Sequence, residues 1–147
     1  MSEKRQQAIE MFAAESCYNC AQSVIAVFAE KYGMSREDAL RVSGGLGAGV
    51  RCGEICGAAN GGVLVVGLAH GQTKHGDAEA KKECDTKARE YLMAFVEKNG
   101  KLRCKELLGY DPGVPEELSE IKRLDLRNKV CKEFVGGAVT ILEELGY

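Results

Sequence analysis

Residues 77–100 read DAEAKKECDTKAREYLMAFVEKNG, and this stretch decides the fold class. Asp77 stands where an N-cap is wanted, with a carboxylate able to accept from first-turn amides. Asn99–Gly100 is a helix stop, because glycine takes up the left-handed C-terminal conformation without strain. Between the two lies a long amphipathic helix.

The same helical spacing extends outward in both directions. Glu3 to Ala14 carries Ala8, Ile9, Phe12 and Ala13 on one face. Asn19 is placed to cap a second helix running to about Tyr32, with Gln22 at capping-box spacing and Gly33 as its end. Ser35 starts a short third helix that ends at Gly44–Gly45. A glycine-rich loop then leads into a fourth, about Gly53 to His70. Beyond the long fifth helix come a short one around Arg103 to Leu108 and the turn Asp111–Pro115. A final helix or helix pair covers Glu116 to Leu145, with Phe134, Ala138, Ile141 and Leu145 on one face. Valine and isoleucine do not alternate with polar residues, and the two prolines, Pro112 and Pro115, sit in a single turn. No repeat or low-complexity linker divides the chain. The expected architecture is all-α, a compact single-domain bundle of five to seven helices over residues 1–147.

A chain of 147 residues, 45% hydrophobic and 29% charged, buries a core without covalent staples. The net charge of −2 comes from acids and bases interleaved along the chain, leaving no basic stripe for a phosphate backbone. Nucleic-acid binding is therefore not expected. Met1 to Gln7 is charged and polar, unlike the apolar run of a secretory signal. The longest apolar stretch, Ile55 to Ala69, is interrupted by Asn60 and four glycines and reads as a buried helix, not a membrane span. The expected location is the cytoplasm.

Seven cysteines are the anomaly: Cys17, Cys20, Cys52, Cys56, Cys84, Cys104 and Cys131. An odd count closes no complete disulfide framework, and a reducing compartment favours ligand or redox roles. Free cysteine also packs as a small hydrophobe, which accounts for some of them. Cys20 follows the Asn19 cap, so its sulfur falls in a first turn, where free amides and the helix dipole favour a thiolate. Cys17 completes a Cys-x-x-Cys, a spacing shared by metal sites and dithiol pairs. Haem attachment at this motif is excluded by Ala21, where histidine would be needed.

Cys52 and Cys56 allow two readings. If both are helical they share a face at i, i+4 with Cβ atoms about 5–6 Å apart, too far for a disulfide and suited to a shared metal. If Cys52 precedes the helix, Cys56 lies in its first turn and gains the same dipole support as Cys20. Gly53, Gly57 and Gly61 recur every four residues, which implies another backbone packed very close. Cys104, near the start of a short helix between Arg103 and Lys105, and Cys131, inside the last helix, read locally as core cysteines. Cys84 has no partner in sequence and reads as a bystander.

The Gly44–Gly49 loop follows a helix and matches no phosphate-binding pattern. The two histidines, His70 and His75, form no His-Glu-x-x-His, and no nucleophile elbow is present, so hydrolytic chemistry lacks support.

Taken together, Cys20, Cys56-Gly57-Ala58-Ala59-Asn60-Gly61, Cys104 and Cys131 resemble a family of redox-active proteins named for a Cys, Cys-Gly-Ala-x-x-Gly, Cys, Cys pattern. The surroundings agree: Tyr18-Asn19-Cys20-Ala21-Gln22 before an apolar helix, Gly53-Glu54-Ile55 before Cys56, and Cys104-Lys105-Glu106-Leu107-Leu108-Gly109. A related domain occurs in the split-Soret cytochromes. The resemblance implies that Cys20, Cys56, Cys104 and Cys131 meet in space. Cys17 and Cys52 are near enough in sequence to join them.

Three functions compete on these residues. The leading one is an iron–sulfur cluster or other thiolate-bound metal on Cys20, Cys56, Cys104 and Cys131, serving electron transfer or sensing. The second makes the chain an enzyme, a thiol–disulfide oxidoreductase whose catalytic pair is Cys20 and Cys56. The third is a structural four-thiolate zinc site in an interaction protein, disfavoured because a core of this size does not need zinc to fold. A redox partner protein is implied by the first two. A homodimer is a further expectation from the glycine-rich surface and the related cytochromes.

Overall fold

The computed structural model describes residues 1–147 and is all-helical. Eight α-helices follow in order: α1 Glu3–Met11, α2 Cys20–Ile25, α3 Arg36–Val42, α4 Gly57–His70, α5 Ala78–Asn99, α6 Cys104–Leu108, α7 Pro115–Arg123 and α8 Lys132–Glu144. This is one more than the upper end of the expected five to seven. The C-terminal stretch splits into α7 and α8 because Asp125 turns left-handed at φ 53°, and a broad turn over Arg127–Cys131 then leads into α8.

The capping chemistry reads as the side chains predict. Asn19 Oδ1 accepts from Gln22 N at 2.8 Å while Gln22 Oε1 accepts from Asn19 N at 2.8 Å. Ser35 Oγ and Asp77 Oδ1 each accept from the third residue of their helices, at 3.1 Å. Gly33 and Gly100 end their elements at φ 83° and 85°. The second helix is shorter than expected: α2 stops at Ile25, and the chain reaches Tyr32 through a tighter single turn at Ala29–Tyr32.

α4 is the central element, with Ala58, Ala59, Val65 and Val66 fully buried against α2, α5 and α8. Its glycines explain the close approach. A Cβ at Gly57 would stand 2.9 Å from Cys20 Cβ, and one at Gly61 would stand 2.8 Å from both Ala21 O and Val24 Cβ. On the opposite side Gly62 receives the ring of Tyr91, whose hydroxyl donates to Ala58 O at 3.2 Å. The third member of the expected stripe, Gly53, is not helical: it sits in a loop at φ 74°, against Asp111.

This packing sets opposite signs for two alanine substitutions in one helix. Gly62→Ala drives a methyl into the Tyr91 ring and is expected to destabilise by about 2–3 kcal/mol. Gly67→Ala, with nothing within 4 Å of the new Cβ, is expected to stabilise by about 0.5–1 kcal/mol through helix propensity. Urea unfolding midpoints of the two variants check both.

Candidate redox site

Four cysteines come from four helix starts. Cys20 is the first residue of α2, Cys56 immediately precedes α4, Cys104 is the first residue of α6 and Cys131 immediately precedes α8. Two of them are joined by backbone. Cys56 N donates to Leu102 O at 2.9 Å and Cys104 N donates to Glu54 O at 2.6 Å, around an isolated antiparallel bridge between Ile55 and Arg103. A side-chain clamp holds the same register: Arg103 donates twice to the Glu54 carboxylate, each at 2.8 Å, and Lys105 Nζ adds a third contact at 3.2 Å. These cations hold the Glu54 carboxyl below its usual range.

The bridge corrects the expected start of the fourth helix. Glu54 to Cys56 is extended and α4 begins at Gly57, four residues later than about Gly53. Cys52 is non-helical at φ −136°, so it shares no helical face with Cys56. Of the two readings of that pair, the one placing Cys52 before the helix describes the structure.

The loop feeding this bridge is strained. Ala48, Gly49, Val50 and Arg51 lie consecutively in the left-handed region, at φ 52°, 62°, 57° and 60°. A left-handed turn costs about 1–2 kcal/mol per non-glycine residue and persists only where the surroundings over-determine it. Here Glu54 N closes the turn on Gly49 O at 2.9 Å. Gly47 abuts the Asn19 side chain and Gly49 abuts the Glu54 backbone and Cys104 Cβ, so neither has room for a Cβ.

Cys20, Cys56, Cys104 and Cys131 all line one cavity of about 380 Å³. Cys17, Cys52 and Cys84 do not. Cys17 and Cys52 are exposed, Cys17 at φ 63° in the turn before α2, and Cys84 lies on α5. No disulfide joins any of the seven.

Burial reverses the thiol acidities expected from helix position. Desolvation pushes Cys56 up to about 11, although the amides of Ala59 and Ala58 hydrogen-bond its sulfur and pull the other way. Cys104 is pushed up to about 12 by burial, then by the neighbouring Cys56, Cys131 and Asp111. Cys20 and Cys131 hydrogen-bond to each other, and the bond moves them in opposite directions. Cys20 is raised, first by its hydrogen bond to Cys131 and then by burial, while Cys131 is lowered by that same bond and by Arg127. Cys131 is thus more than the core residue its local sequence suggests.

Arg127 was not legible as a site residue. Its guanidinium carbon stacks 3.9 Å from the Phe12 ring centroid, and Nη2 donates to Phe12 O at 2.8 Å and Tyr18 O at 2.7 Å. It thereby ties α1 and the strand of chain entering Cys20 to the turn that carries Cys131. Its one sequence signal is the i, i+4 spacing to Cys131.

A pH prediction follows for the reduced, metal-free protein. Cys56 is neutral in the fold and raised from an ordinary value near 9 to about 11, so its contribution is full below pH 9 and lost as the pH rises through 11. Cys104 acts with the same sign. Stability measured by urea unfolding is expected to fall by about 2–3 kcal/mol between pH 9 and 11 from Cys56 alone. A flat profile over that interval would contradict the burial described.

The model of the family described as "Putative redox-active protein (C_GCAxxG_C_C)" matches residues 18–145. The chain belongs to this family. The four cysteines that the sequence reading assigns to the pattern, Cys20, Cys56, Cys104 and Cys131, line the cavity, and Cys17, Cys52 and Cys84 do not. The family's second element takes the form Cys56-Gly57-Ala58-Ala59-Asn60-Gly61 here, and Gly57 and Gly61 are the glycines that admit α2. No curated protein and no solved structure matches the chain. No helix is long and apolar enough to cross a membrane.

Proposed function

We propose that this family member is an electron-transfer or sensing protein that holds an iron–sulfur cluster on Cys20, Cys56, Cys104 and Cys131. The observation that carries the reading is the convergence of these four thiols on one cavity of about 380 Å³. Four cysteine thiolates are the usual ligand set of such clusters. The amides of Ala58 and Ala59, which hydrogen-bond the Cys56 sulfur, are the kind of donor that tunes cluster potential.

A cluster is favoured over zinc because a core of this size does not need a structural metal to fold. No three cysteine, histidine or acidic side chains converge closely enough to hold a single ion. When bound, the cluster would supply a one-electron couple, while the chain supplies thiolate ligands and a mostly apolar wall.

A second reading has its own observation. Cys20 and Cys131 hydrogen-bond to each other, which is the neighbourhood a reversible disulfide requires. This adds Cys20–Cys131 as a candidate pair for a thiol–disulfide oxidoreductase, beside the Cys20–Cys56 pair expected from helix position.

Anoxic purification followed by a visible spectrum and assay of iron and acid-labile sulfide tests both. Broad sulfur-to-iron absorption with iron and sulfide present supports the cluster. A colourless, metal-free protein that forms a Cys20–Cys131 disulfide on mild oxidation sinks the cluster and leaves the dithiol enzyme.

A further inference from the structure

The cavity is larger and differently charged than four sulfurs require. Beyond the cysteines its wall is built by α6 and α7, with Leu107, Leu108, Leu118 and Ile121 supplying apolar surface. Three cations, Arg51, Lys122 and Arg127, share this wall with one acid, Asp125. None of the three makes an ion pair with a carboxylate. Asp125 is already engaged, accepting from Asn128 Nδ2 at 2.9 Å.

Two further observations point to a missing acceptor. Arg127 Nε is buried and has no hydrogen-bond partner, although a buried donor is normally satisfied. Arg51 lines the cavity from a run of four consecutive left-handed residues, a strained conformation of the kind that clusters at ligand sites. Arg127 is partly answered by the carbonyls of Phe12 and Tyr18, whereas Arg51 and Lys122 have no ion-pair partner in the chain.

We propose that the outer half of the cavity binds a small organic anion, a carboxylate carried on an apolar body. The carboxylate sits among Arg51, Lys122 and Arg127, and the body lies against the leucines of α6 and α7. The volume is within the range of small-molecule sites. The site places such a ligand beside the four cysteines, and it goes beyond the redox reading because it uses none of the sulfurs.

The test is equilibrium dialysis of 2-naphthoate and its neutral isostere 2-naphthamide against the full chain, in both the as-purified and metal-free forms. Naphthoate is expected to be retained at least about tenfold more tightly than naphthamide, since charged hydrogen bonds are the stronger ones. Lys122→Gln and Arg51→Gln, which remove no hydrogen bond or ion pair from the fold, are each expected to weaken naphthoate about fivefold and leave naphthamide unchanged. Equal retention of the two probes, retention of neither at millimolar concentration, or indifference to both substitutions overturns the proposal. Absence of iron in the as-purified protein would sink the cluster reading alone, because charge-dependent retention is scored separately in each form.

Discussion

Serine at any one of positions 20, 56, 104 or 131 is expected to lower the iron content of anoxically purified protein by about tenfold or more. Serine keeps the shape of cysteine but not its acidity, so it supplies no thiolate at neutral pH. The same change at Cys17, Cys52 or Cys84 is expected to leave iron and the visible spectrum unaltered, because none of these lines the cavity. Iron assay and absorption across the seven single variants measure this. Loss of iron on removing Cys17 or Cys52, or its retention on removing Cys104, would refute the four-cysteine ligand set. If the dithiol reading on Cys20–Cys131 holds instead, the pattern narrows. Only Cys20→Ser and Cys131→Ser then abolish the intramolecular disulfide, and Cys56→Ser and Cys104→Ser spare it.

The second large effect is at Gly49. An alanine there must adopt φ near +62° and place its Cβ 2.5 Å from Glu54 N, 2.6 Å from Glu54 O and 2.8 Å from Cys104 Cβ. Two of these atoms are backbone and the third belongs to the cavity wall, so none yields cheaply. Gly49→Ala is expected to destabilise by about 3 kcal/mol or more, combining overpacking with left-handed strain. Gly45→Ala, in the same loop with nothing within 4 Å, is expected to change stability by no more than about 0.5 kcal/mol. Thermal or urea unfolding of the pair decides it. Similar losses in both variants would mean that the loop's glycines serve flexibility and not close approach.

The helices were legible because their signals are local. Asn19 with Gln22, Ser35, Asp77 and Gly100 act within one turn of backbone, and each forms the cap its chemistry dictates. The segment Gly53 to Cys56 differs from its sequence reading for the opposite reason. Its apolar, glycine-spaced letters suit a helix, but pairing with Leu102 and Arg103, remote in sequence, holds Glu54 to Cys56 extended. Gly53 likewise answers to Asp111 and not to a helix neighbour.

The site divides along the same line. That Cys20, Cys56, Cys104 and Cys131 belong together followed from their order and surroundings, and all four meet at one cavity. The acidity of each did not follow, because a helix start contributes a local, favourable effect while burial depends on everything packed above it. For Cys56 the burial effect wins, lifting the thiol to about 11 despite two amide donors. Arg127 makes the same point: stacking on Phe12 and bonding to Tyr18 join residues more than a hundred positions apart.

By itself, then, the sequence determined an all-helical class and the caps that start and stop its main helices. These rest on hydrogen bonds and periodicities spanning a few residues. Only the tertiary structure decided where α4 begins, which way each buried thiol's acidity moves, and that three unpaired cations share the cysteines' cavity. Those are set by desolvation and by contacts between distant segments, which no window of sequence contains.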